Sequence, residues 1–120
     1  MDSKKELIKL QAEFKACQRV LTALGDETRQ HLFSIMMMEK CSGSRVVDIA
    51  KKTNLSRPAV SHHMQILKEA GIVTSRKEGT CIYYLLNPSL DCVHKMSTLF
   101  SHIEALVKMD QYEREKIKNE

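Results

Sequence analysis

SRPAVSHHMQILKEAGIV, residues Ser56 to Val73, is the stretch from which the rest of the chain can be read. Ser56 is a favoured helix N-cap, and Arg57 and Pro58 fit a first turn whose amides have no intrahelical partner. Val60, Met64 and Leu67 then recur at helical spacing, and Gly71 closes the helix. The opposite face carries Arg57, Ser61, His62, Gln65 and Lys68, hydrogen-bonding groups and cations with no acid before Glu69. A helix lined in this way suits the major groove of DNA, where such side chains meet base edges and phosphates.

Just upstream, Arg45 to Thr53 reads as a short helix with Val46, Val47, Ile49 and Ala50 available for burial. Asn54 tolerates the left-handed conformation of a tight corner, and Leu55 plugs it. Residues 45–70 thus read as a helix-turn-helix. Downstream, Ile72 to Ser75 lead into Arg76-Lys77-Glu78-Gly79, and Thr80 to Leu86 return as a strand rich in β-branched and aromatic residues, Ile82, Tyr83 and Tyr84 among them. The hairpin expected over 72–86 is a wing with Arg76 and Lys77 at its tip, where their charge suits the phosphate backbone.

Two long helices flank this module. Over residues 3–24 the apolar positions Leu7, Leu10, Phe14, Cys17, Leu21 and Leu24 step by three and four, and Asp26 then caps a helix over about 27–39 built on Leu32, Ile35 and Met36. Met36, Met37 and Met38 read as adaptable core filler. Asn87-Pro88-Ser89 ends the wing and caps a last helix over about 90–116, striped by Val93, Met96, Phe100, Ile103 and Val107. A module this small cannot bury both stripes alone. The expected fold is therefore mainly α with a β-hairpin wing, a single winged helix-turn-helix domain over 1–120 that dimerises through its first and last helices. Such a homodimer presents two reading helices to a pseudo-palindromic DNA operator, with half-sites about one helical turn apart.

The bulk numbers agree with one domain. The chain has 120 residues and a formal charge of +4, a mild basic excess that permits nucleic-acid binding. The distribution is more telling: Ser56 to Lys77 holds Arg57, Lys68, Arg76 and Lys77 against Glu69 alone, whereas Glu104 to Glu120 carries five acids against four bases. With no apolar run of membrane-spanning length and no signal-peptide core, a cytoplasmic protein with no membrane partner is expected. Four scattered cysteines, Cys17, Cys41, Cys81 and Cys92, form no CxxC or CxC pair and read as free thiols. No phosphate loop, G-x-S-x-G or nucleophile–base set suggests an enzyme. A helical interaction protein without DNA function is the alternative, but it leaves the switch to a basic hairpin after Gly71 unexplained.

The runs LTALGDETRQHLFSIM, VVDIAKKTNLSRPAVSHHMQILKEAGIV and RKEGTCIYYLL together resemble the ArsR/SmtB family of winged-helix repressors, over Leu21 to Leu86. The resemblance implies a dimeric repressor that leaves its operator when an inducer binds: a metal or metalloid ion such as Zn, Cd or As(III), or a redox or sulfur signal acting on thiols. A regulator with no metal effector is the other reading. The thiolate pair of some metal-sensing members falls here on Arg45, Val46 and Val47 and is absent. The zinc set of others falls on Ser89, Asp91, His102 and Ala105, so only two of its four positions hold a ligand. Asp91 and His94 share a face one turn apart and are carried forward with His102 as a metal set, completed by a residue such as Glu104 or Cys92 of a second copy. Cys41, in a turn beside Lys40, is the leading thiol candidate, with Cys17 or Cys92 as companion.

The expected DNA contacts are Ser56, Arg57, Ser61, His62, His63, Gln65, Lys68, Arg76 and Lys77. A solvated amphipathic helix is the plainer account of this face, but it does not explain the capped start, the preceding corner and the following basic hairpin together. Adjacent His62 and His63 cannot share a face; one reaches DNA and the other packs. Plain burial is the default for Cys17 in its apolar stripe, and solvated surface histidines are the default for His94 and His102.

Overall fold

The computed structural model describes residues 3–38 and 43–119. The chain divides into two compact units, Gln18–Cys92 and a second made of Met1–Cys17 with Val93–Glu120.

In the first unit, α2 (Gln18–Leu24) and α3 (Glu27–Met38) are joined by a turn in which Asp26 caps α3, its Oδ1 accepting from the Arg29 amide at 3.0 Å. This hydrogen bond leads the causes that hold the Asp26 carboxyl below its usual range. α4 (Val46–Thr53) ends at Asn54, whose φ of 57° is the left-handed corner expected. α5 (Arg57–Glu69) follows after two residues. Its buried residues are Val60, Met64 and Leu67, which join Leu32 and Met36 of α3, Ile49 of α4 and Val20 and Ala23 of α2 in the apolar core. Of the methionine run only Met36 is core; Met37 and Met38 are exposed, because α3 turns them away from the face that buries Leu32.

The strands are β2 (Val73–Glu78) and β3 (Cys81–Leu86), antiparallel from Val73↔Leu86 to Glu78↔Cys81, with a two-residue β1 (Ser44–Arg45) on the other side of β3. Two sequence expectations are corrected here. Arg45 does not open the short helix; it pairs with Tyr83 as strand, and α4 begins one residue later. Arg76 and Lys77 are not at the hairpin tip but within β2, opposite Tyr83 and Ile82. The tip is Gly79-Thr80, and Gly79 at φ +60° supplies the positive angle that a two-residue loop with glycine first requires.

The second unit contains α1 (Ser3–Ala16) and α6 (Asp91–Lys118) from Val93 onward. The first long helix expected over 3–24 is broken at Cys17. Its amide is shared at 3.1 Å between the Glu13 and Phe14 carbonyls, the three-centre arrangement of a helix end. Leu99 is fully enclosed, whereas Leu7, Phe14, Val93, Phe100 and Val107 remain exposed.

Candidate nucleic-acid interface

Both ends of α5 are locked by its own sequence. Ser56 Oγ accepts from the Ala59 amide at 3.2 Å, and Pro58 stands in the first turn where its missing amide costs nothing. At the other end Gly71, at φ +80°, donates to Lys68 O, and Ile72 donates to Leu67 O, both at 3.0 Å. These two bonds form a Schellman closure, with Leu67 and Ile72 both buried beside it. The helix therefore has fixed ends and one buried face, and its other face is free.

On that free face Ser56, Arg57, Ser61, His62, Gln65 and Lys68 are all exposed. Arg57 and Lys68 have no ion pair among the described residues, so their charge is available to a ligand. Gln65 Nε2 donates to Glu69 Oε1 at 3.3 Å, a surface bond that a better acceptor can replace. The histidine pair divides as the helical period requires. His62 is exposed, while His63 is half-buried with Nδ1 3.2 Å from Arg29 Nη1. In the wing Arg76 is bound to Glu78 at 3.0 Å and lies 4.9 Å over the Tyr83 ring, whereas Lys77 is exposed without an ion pair among the described residues. Glu78 thus offsets one of the two wing cations. The sequence reading passed over Lys51 and Lys52, exposed in the last turn of α4, where cations are favoured by the helix dipole whatever their function.

The expected sensor positions fare differently. Asp91 and His94 are exposed at the start of α6, and eleven residues of helix put Asp91 about 16 Å from His102. They do not converge within one chain, and no group of three metal-ligating side chains capable of holding an ion occurs among the described residues. His102 has other partners: its Nε2 lies 2.7 Å from Glu6 Oε2 and its Nδ1 3.0 Å from Glu13 Oε2. The two carboxylates, two turns apart on α1, sit on opposite ring nitrogens and cannot both join one nitrogen at a metal. Cys17 is 1% exposed, Cys92 is half-buried at the start of α6, and Cys41 lies outside the described residues.

Both ring nitrogens can donate only in imidazolium, so this clamp belongs to protonated His102. Hydrogen bonding to Glu13 first, and to Glu6, raises its pKa above the ordinary 6.5 despite partial desolvation. The stabilisation is therefore complete below the unfolded-state pKa and is lost as pH rises through the higher folded-state value. Thermal unfolding followed from about pH 6 to about pH 9 should show a falling midpoint that His102→Gln flattens. An equal slope in both chains would remove the clamp as its source.

A capped helix with a free polar and cationic face, a left-handed corner before it and an antiparallel hairpin after it define a winged helix-turn-helix. Residues 35–75 match the family model for bacterial regulatory proteins of the arsR family. The transcriptional repressor SdpR of Bacillus subtilis is 35% identical over 71 residues, covering 59% of this chain and 76% of the relative. The chain belongs to the ArsR family. The cadmium resistance transcriptional regulatory protein CadC homolog of Staphylococcus aureus is 36% identical over 69 residues, or 58% of this chain and 55% of that protein. Among solved structures, the homodimeric winged helix-turn-helix DNA-binding domain of a possible ArsR-family regulator from Mycobacterium bovis is similar with a TM-score of 0.55 and 26% identity, covering 90% of this chain and 87% of that one. No helix among the described residues is long and apolar enough to cross a membrane.

Proposed function

We propose that this chain is a cytoplasmic, homodimeric transcriptional repressor that places one α5 in each half-site of a pseudo-palindromic DNA operator. The observation that carries the proposal is the free face of α5: Arg57, Ser61, His62, Gln65 and Lys68 exposed on a helix locked at both ends, with both cations unpaired among the described residues. Lys77 of the wing reaches phosphate, and Arg76 adds to it once released from Glu78. Ser56 contributes through its cap; His63 does not contact bases. SdpR is a repressor by name, and the Mycobacterium bovis domain is a homodimer; both properties are extended here to this chain.

The test is operator binding. Arg57→Ala should weaken binding to a duplex from upstream of the chain's own gene by roughly tenfold or more, the worth of one good bidentate contact. The unfolding midpoint should hardly move, because Arg57 is exposed and a cation in the first turn gains nothing from the helix dipole. Unchanged affinity in Arg57→Ala and Gln65→Ala together would remove this face as the reader.

Release by an inducer completes the proposal as a shift toward a dimer whose reading helices no longer match successive major grooves. The CadC homolog is named for cadmium resistance, but His102 here is committed to two carboxylates, which favours a thiol-directed signal over the imidazole set. Titrating Zn(II), Cd(II), As(III) and persulfide into the protein–DNA complex distinguishes the two. Cys41→Ser should abolish a thiol-directed release, and His102→Ala a zinc-type one. If none of the four releases DNA, the chain is a regulator without such an effector.

A further inference from the structure

We infer that Arg29 and His63 form a positioning pair that fixes the roll of α5, so that His63 serves DNA binding without touching DNA. The inference rests on the DNA-binding reading of α5. Arg29, in the first turn of α3, distributes its donors over three elements. Its Nε donates to Ala23 O at 2.6 Å and its Nη2 to Thr22 O at 3.4 Å, both in α2. Its Nη1 lies 3.8 Å from the Asp26 carboxylate and 3.2 Å from His63 Nδ1. The side chain is only 12% exposed. One cation therefore ties the end of α2 and the cap of α3 to the reading helix.

A guanidinium carries donors only, so His63 Nδ1 must be the acceptor and the ring proton sits on Nε2. This bond adds something the core cannot. Val60, Met64 and Leu67 hold α5 down, but apolar attraction is non-directional and resists a small roll about the helix axis weakly. A charge-assisted hydrogen bond is directional. His63 is next in sequence to His62 and two residues from Ser61 and Gln65, so any roll allowed at His63 displaces those groups relative to base edges.

The experiment uses the full chain and a duplex that the wild-type protein recovers from a random pool. Asn carries its side-chain oxygen where histidine carries Nδ1, whereas Gln carries it near the position of Nε2. His63→Asn should bind the duplex close to wild type, and His63→Gln and His63→Leu should each bind about tenfold more weakly, as the competent orientation becomes a minority state. The dependence of log Kd on log salt should be unchanged, since no phosphate contact is lost. Binding is compared at a temperature where unfolding curves show every chain folded, and Gln keeps the test alive if Leu does not fold. Wild-type affinity in His63→Gln, or a loss in His63→Asn equal to that in His63→Gln, would overturn the pair. A shallower salt slope in His63→Gln would overturn it in favour of direct phosphate contact. Failure of the wild-type chain to recover any duplex would instead overturn the DNA-binding reading itself.

Discussion

Leu67→Ala should lower the stability of the chain by about 2–5 kcal/mol, a fall of roughly 10 °C or more in the unfolding midpoint for a domain of this size. Leu67 is 0% exposed on the inner face of α5, between the core and the Schellman closure, where its carbonyl accepts from Ile72. Removing its side chain loses the transfer free energy of the buried carbons and leaves a cavity. The neighbours cannot easily fill it, because Met64 and Val60 are themselves fully enclosed and the glycine-dependent turn fixes the chain on one side. Leu67→Met, which nearly conserves volume, should cost less than about 1.5 kcal/mol. Thermal unfolding at one protein concentration compares the two. Equal midpoints for Leu67→Ala and Leu67→Met would show that the site collapses freely and that α5 is not anchored there.

The features that fix α5 are local, which is why they can be read from sequence. Ser56 caps within three residues, Gly71 closes within four, and Asn54 turns the corner alone; each depends on its own chemistry and that of its neighbours. What escaped such a reading is set by partners far along the chain. Nothing adjacent to Arg29 announces His63, 34 residues away, and nothing near His102 announces Glu6 and Glu13, which lie in another helix. Ser44 and Arg45 are strand only because β3 lies beside them; two residues have no periodicity of their own. The position of the hairpin tip is obscured in the sequence for a related reason. β2 is an edge strand in the order β1-β3-β2, and its outer residues Arg76, Lys77 and Glu78 are exposed, so a polar strand end looks like a turn. The left-handed glycine, not polarity, marked the true turn. The candidate DNA face is legible as far as it depends on the period of one helix, and a ligand set is not, because it is a convergence of elements.

Phe100→Asp should convert the dimer to monomer. Among the apolar residues left exposed on the terminal helices, one series is spaced by sevens: Val93, Phe100 and Val107 on α6 are 55%, 53% and 50% exposed, and Leu7 and Phe14 on α1 are 55% and 44% exposed. Scattered surface apolar residues need no explanation, but a heptad repeat of them is the seam of a helix that packs on another helix. The one buried residue of these two helices is Leu99 on α6, which lies outside that series, so the seam is surplus to the monomer's own core. Each dimer would lose two phenylalanines and gain two carboxylates in an apolar contact. At about 3 kcal/mol for each copy the dimer weakens by about 6 kcal/mol, on the order of 10⁴-fold in its dissociation constant. Sedimentation should show the monomer at concentrations where wild type is dimeric, with helix content unchanged because Phe100 is half exposed in the single chain. Operator affinity should fall with it, since a monomer engages one half-site and forfeits the effective concentration of the second. A Phe100→Asp chain that sediments as the wild-type dimer would place the interface elsewhere and leave the heptad seam for another partner.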